Sequence, residues 1–130
     1  MSPKTILVVD DEPDICRYLA MLFEGSGYAV ICACSGYEAA QQVRQLRPVL
    51  IMLDPSLPSK SGLKFYREMK ATPELSRIPI VLVATPATLR EKTAHGLPPP
   101  DGMIAKPVDP TEMIGLVNRL VGARAAQPAE

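Results

Sequence analysis

Unbroken apolar runs alternate along this chain with stretches whose apolar residues recur every three or four positions. The runs are Ile6, Leu7, Val8 and Val9, then Leu50, Ile51, Met52 and Leu53, then Ile80, Val81, Leu82 and Val83, with Ile104 and Ala105 as a shorter one. Strands covered on both faces read as continuous apolar runs, whereas one-sided strands alternate. Together with a strand over residues 28–33, the pattern predicts five strand–helix units, a parallel sheet with helices on both faces.

The helical stretches carry their own start and stop signals. Pro13 opens the first, with Ile15, Leu19, Leu22 and Phe23 on one stripe and an end near Gly25, Ser26 and Gly27. Ser35 followed three positions later by Glu38 is a capping box for the second, whose inner face is Ala39, Val43 and Leu46 before Pro48. The third begins near Gly62, read here as a turn residue, and carries Leu63, Phe65, Tyr66 and Met69. The last starts with Asp109, Pro110 and Glu112 and buries Met113, Leu116, Val117, Leu120 and Val121.

The fourth helical stretch is sparse. Residues 87–95 offer only Leu89 and two alanines as apolar groups, so a short or poorly packed helix is expected. Pro98, Pro99 and Pro100 then hold the approach to the fifth strand near polyproline geometry. One domain over residues 1–122 follows, with 123–130 as a flexible tail or the start of a linker.

The 130 residues are one domain's worth of chain. Fourteen basic and fourteen acidic residues balance, leaving no basic field for nucleic acid or an anionic membrane. No apolar stretch approaches the roughly 18 residues of a membrane span, and no leader pattern opens the chain, so a cytoplasmic location is expected. Cys16, Cys32 and Cys34 form no CxxC pair and read as small core residues; His95 reads as solvated.

The chemistry lies at the ends of the runs. Asp10 and Asp11 follow the first, Asp54 ends the second long one, and Lys106-Pro107 follows Ala105. In a parallel sheet the carboxyl ends emerge on one edge, so three acids and a lysine converge there. That grouping suits a divalent cation and a phosphoryl group.

These residues resemble the receiver domain of two-component response regulators over about residues 4–121. The acidic pair Asp10-Asp11, the string from Asp54 through Pro58 to Gly62, and Lys106-Pro107 stand in the family's order and spacing. The resemblance implies a flavodoxin-like, doubly wound, five-stranded parallel sheet of order 2-1-3-4-5 with five helices, and a candidate cis peptide at Lys106-Pro107. It implies that Asp54 accepts a phosphoryl group from a histidine kinase or phosphotransfer protein. It also implies Mg²⁺ held by Asp11, Asp54 and the Ser56 carbonyl, with Asp10 acting through water and Lys106 contacting a phosphoryl oxygen. Further implications are a downstream protein target, weak homodimerisation, and no enzymatic turnover beyond autophosphorylation and autodephosphorylation. Kinase contacts are expected at Asp14, Arg17, Tyr18 and Met21.

Two positions depart from the family pattern. The Ser or Thr expected thirty residues after the acceptor is Ala84, and the neighbouring Thr85 needs a backbone shift to replace it, because strand alternation turns it away and Pro86 favours an extended Thr85. The aromatic residue expected three positions before Lys106 is Met103. An atypical switch is therefore expected, and a second reading stays open: a pseudo-receiver that docks a partner independently of phosphate. A haloacid dehalogenase-like phosphatase also uses an aspartate nucleophile, but it needs a second carboxylate two residues on, where this chain has Ser56.

Overall fold

The computed structural model describes residues 4–57, 61–94 and 96–125. Pro58, His95 and residues 126–130 of the expected tail lie outside the described residues. Five units follow one another: β1 (Lys4–Val9), α1 (Pro13–Leu22), β2 (Tyr28–Ala33), α2 (Gly36–Leu46), β3 (Leu50–Leu53), α3 (Ser61–Ala71), β4 (Ile80–Ala84), α4 (Pro86–Thr93), β5 (Gly102–Ala105) and α5 (Pro110–Ala125). The strands form one parallel sheet in the order β2-β1-β3-β4-β5. This is the doubly wound, flavodoxin-like arrangement, and α5 continues three residues beyond the boundary expected at 122.

The continuous apolar runs exist because alternate side chains of each strand enter two separate cores. Ile6, Val8, Leu50, Met52, Val81 and Val83 pack with Leu19, Phe23, Met113 and Val117 beneath α1 and α5. Leu7, Val9, Ile51, Leu53, Ile80 and Leu82 pack with Val43, Phe65, Tyr66 and Met69 beneath α2 and α3. A strand serving both cores has no polar face to show, so its sequence carries no alternation.

Local chemistry sets the helix ends. The Ser35 hydroxyl accepts a hydrogen bond from the Glu38 N–H at 3.1 Å, and the Glu38 carboxylate accepts from the Cys34 N–H at 3.2 Å. Helix α2 ends on Arg47 in the left-handed region, φ 48°, directly before Pro48. Asp109 opens α5, its carboxylate accepting from the Thr111 N–H at 3.0 Å.

Helix α4 is short, as expected, and Leu89 is its one buried residue. The segment after it is tied down from outside. The Tyr66 hydroxyl donates to the Pro98 carbonyl, and the Asp101 carboxylate accepts from the Ile80 N–H at 2.8 Å and from Lys70 Nζ at 2.9 Å. Among the described residues no helix is long and apolar enough to cross a membrane.

Candidate functional site

Backbone register delivers three charged residues to one edge of the sheet. Val9 sits opposite both Ala33 and Leu53, and Ala84 opposite Ala105. One residue beyond those rungs, the Asp10 N–H donates to the Ala33 carbonyl at 3.0 Å, the Asp54 N–H to the Val9 carbonyl at 3.0 Å, and the Lys106 N–H to the Ala84 carbonyl at 2.8 Å. Each functional residue thus hangs from the last hydrogen bond of a strand. The Lys106-Pro107 peptide is cis, as the resemblance implied.

The lysine lies between acids. Lys106 Nζ is 2.9 Å from Asp54 Oδ2, 3.2 Å from Asp10 Oδ2 and 3.6 Å from Glu12 Oε1. Asp10 and Asp54 are buried, whereas Glu12 is on the rim. The other oxygens of the two aspartates are occupied as well. Asp54 Oδ1 accepts from the Ser56 N–H at 2.8 Å and from the Ser56 hydroxyl at 2.6 Å, and Asp10 Oδ1 accepts from the Glu12 N–H at 2.9 Å.

These environments push the two buried carboxyls in opposite directions. Burial raises Asp54, but the Ser56 hydroxyl, the Lys106 ammonium and the Ser56 N–H together outweigh it and hold the group below its ordinary value. For Asp10, burial wins over the Glu12 N–H and a more distant Lys106, and the Asp54 charge adds to it, so that carboxyl is raised. Burial opposes the charge on Lys106, yet the bonds and charges of Asp54 and Asp10 leave it raised overall. Of the two buried carboxyls, Asp54 is thus the one whose charged form its surroundings favour.

Carboxylate oxygens of Asp10, Glu12 and Asp54 lie within 4.8 Å of one another. Oxygens about a six-coordinate Mg²⁺ are separated by roughly 3 to 4.2 Å, given Mg–O bonds of about 2.1 Å. A hard cation therefore fits this donor set with little adjustment. Its charge would also relieve the burial that raises Asp10.

The structure brings together Asp10, Asp54, Ser56 and Lys106 of the residues singled out in the sequence. Asp11 is exposed, outside the acidic cluster, and Glu12 stands in it instead. The Thr85 hydroxyl is engaged at the start of α4. It accepts from the Thr88 N–H at 3.2 Å and bonds the Thr88 hydroxyl at 3.0 Å, capping α4. Met103 is half exposed on β5, and Ala84 at the end of β4 is buried.

Sequence reasoning missed three features. Glu12 was legible only as the third acid of the run after β1. The Ser56 hydroxyl had a signal, since an aspartate two residues before a serine forms an Asx turn. Gly62, taken for a turn residue, is a close-approach glycine: a Cβ there would lie 3.2 Å from Leu57 Cβ and 3.5 Å from the Asp54 carbonyl. It lets α3 press against the acceptor loop.

Comparison with known proteins agrees with this geometry. The family described as "Response regulator receiver domain" matches residues 6–118. Protein Rrf1 of Nitratidesulfovibrio vulgaris is 37% identical over 123 residues, spanning 95% of this chain and 86% of that one. The DNA-binding response regulator MtrA of Mycolicibacterium smegmatis is 33% identical over 126 residues, 96% of this chain, which spans only about half (54%) of that protein. A crystal structure of a response regulator from Chloroflexus aurantiacus superposes with a TM-score of 0.82 at 28% identity, covering 92% of this chain and 98% of that one.

Proposed function

This chain belongs to the response regulator receiver family, and on that premise we propose that Asp54 accepts a phosphoryl group from a histidine kinase or a phosphotransfer protein. The family is one of signalling modules. The observation that carries the reading is the asymmetric dress of Asp54: two Ser56 donors fix Oδ1, and Oδ2 faces Lys106 alone. Oδ2 is the proposed nucleophile. It forms the new bond to phosphorus as the donor's bond to phosphorus breaks, and Lys106 moves its ammonium from Asp54 and Asp10 onto a phosphoryl oxygen.

When bound, Mg²⁺ supplies positive charge against the acids and the incoming phosphoryl oxygens. Asp54 and the Ser56 carbonyl would hold it together with Asp11, whose exposed carboxylate lies outside the cluster and would turn inward, with Asp10 acting through water and Glu12 as an added acid on the rim. The Ser56 N–H and hydroxyl keep the attacking carboxylate oriented throughout. Exposed Arg17, Tyr18 and Met21 on α1 are the proposed kinase contacts, in a cytoplasmic setting where the phosphoryl donor is made, and the phosphorylated form is read by a protein target.

Output through the usual route is weak in this reading, because Thr85 spends its hydroxyl on α4 and Ala84 has none. The same observation favours a second reading, a receiver-like module that docks its partner without phosphate. A change in partner affinity of tenfold or more on phosphorylation, about 1.4 kcal/mol of coupling, separates the two in favour of the first.

The test of acceptance is intact mass after incubation with acetyl phosphate. One phosphoryl group is expected with Mg²⁺, and none without it or in Asp54→Asn. No addition to the wild-type chain while Mg²⁺ demonstrably binds would reject the acceptor.

A further inference from the structure

Of the three cysteines expected as small core residues, Cys16 and Cys32 meet and Cys34 is exposed. Cys16 of α1 and Cys32 of β2 are paired as a disulfide with Cα atoms 6.3 Å apart, inside the range such a bond spans. Both line one open depression of about 350 Å³ together with Asp10, Pro13 and the free, exposed Cys34. A small molecule can reach this place from solvent.

Cys16, and Ala33 beside Cys32, are each one hydrogen bond from the acidic loop. The Cys16 N–H donates to the Glu12 carbonyl at 3.4 Å, and Ala33, next to Cys32, accepts from the Asp10 N–H at 3.0 Å. Glu12 in turn holds Lys106. A covalent bond between Cys16 and Cys32 therefore ties α1, which starts directly after Glu12, to β2, whose Ala33 carbonyl holds the Asp10 N–H, so the loop carrying both acids is fixed at each end.

We propose that Cys16 and Cys32 are a reversible oxidation site that reacts with small disulfides such as oxidised glutathione, and that its state sets how freely Lys106 leaves the acidic cluster. One cysteine thiolate attacks a sulfur of the small disulfide and expels a thiolate, which takes up a proton. The other cysteine thiolate then attacks the protein sulfur of the mixed disulfide and expels the second small thiol. Two protein thiols are oxidised to one disulfide, and one small disulfide is reduced to two thiols. In a reducing compartment such a bond is transient, the setting in which intracellular disulfides serve as sensors. In the oxidised form the segment carrying Glu12 is pinned, and its carboxylate keeps its hold on Lys106, so phosphoryl acceptance slows.

The second half of the proposal rests on the acceptor reading; the first does not. The whole chain is equilibrated in glutathione buffers from fully reduced to fully oxidised, and alkylatable thiols are counted by mass. Three are expected when reduced; when oxidised, Cys16 and Cys32 are expected to be unalkylatable without glutathione mass, Cys34 being alkylatable or carrying one glutathione, with full return on reduction. Three alkylatable thiols in excess oxidised glutathione would overturn the site. Each form is then given acetyl phosphate and Mg²⁺: at least threefold slower labelling is expected when oxidised, with the difference absent in Cys16→Ser. Equal rates in the two wild-type forms would overturn the coupling. A shifting thiol count with no labelling in either form would instead overturn the acceptor reading and support the oxidation site.

Discussion

Two neighbouring corners of the same sheet edge are built in opposite ways. Where β1 and β3 end, two buried aspartates, one lysine and a serine share a closed set of contacts between 2.6 and 3.2 Å. Where β4 passes into α4, Ala84 contributes no polar side chain, Thr85 turns its hydroxyl to its own helix, and one leucine anchors the helix. The first corner is organised around a charge that must be held and then exchanged. The second is organised to start a helix. The proposed acceptor and the usual route of its signal therefore rest on separate groups of residues.

Removing the lysine strains the first corner most. Lys106→Ala leaves Asp10 and Asp54 facing each other without a cation, and breaking a buried pair in this way costs about 3 kcal/mol. The melting temperature is expected to fall accordingly, and Mg²⁺ to restore more stability to this variant than to the wild type. At the second corner, Met103→Ala is expected to change stability by less than about 0.5 kcal/mol, since that side chain is half exposed. Comparable losses from both substitutions would contradict the contrast.

The two hydroxyl residues sharpen it. Thr85→Ala removes the cap of α4 and is expected to cost about 1 kcal/mol in denaturant unfolding, with the rate of labelling at Asp54 unchanged. Ser56→Ala is expected to do the reverse, altering the labelling rate severalfold with little loss of stability, because its hydroxyl touches the acceptor carboxylate. An effect of Thr85→Ala on labelling would place that residue in the site after all.

Acid and base behaviour divides even within the first corner. Asp54 is held below its ordinary value of 3.8, so its contribution is present above that pH and is lost as pH falls through the folded-state value. Asp10 is raised, so its contribution is present below 3.8 and is lost as pH rises through its folded-state value. At neutral pH the ionised Asp10 thus costs stability in the metal-free protein. Asp10→Asn is expected to melt above the wild type at pH 7 without Mg²⁺, and to lose that advantage near pH 3. A lower melting point at pH 7 would mean that Lys106 favours Asp10 as strongly as Asp54.

Much of this organisation is written in the chain, and the parts that are not have a common cause. Strands β1, β3 and β4 announce themselves because both their faces are buried, and Asp10 and Asp54 are legible because each directly follows such a run, as Lys106 follows the shorter Ile104-Ala105 one. Helix α4 could be foreseen as weak because only Leu89 among its residues seeks a core. What the sequence withholds is contact between elements. Cys16 meets Cys32 only because α1 lies across β2 at that height, and Gly62 is needed only because α3 presses on Leu57. Glu12 joins the cluster through the reach of Lys106, which no spacing rule supplies. Asp11, assigned to the metal by resemblance, is exposed because the chain is already turning toward Pro13.

The separation of the two corners is tested most directly by hydrogen exchange on the whole chain, with and without acetyl phosphate in the presence of Mg²⁺. Protection is expected to rise in residues 10–16 and 54–57, around the acceptor, while residues 84–94 and 102–105 exchange as before. A change concentrated in α4 and β5 would show that the signal crosses Ala84 and Met103, and would contradict the account.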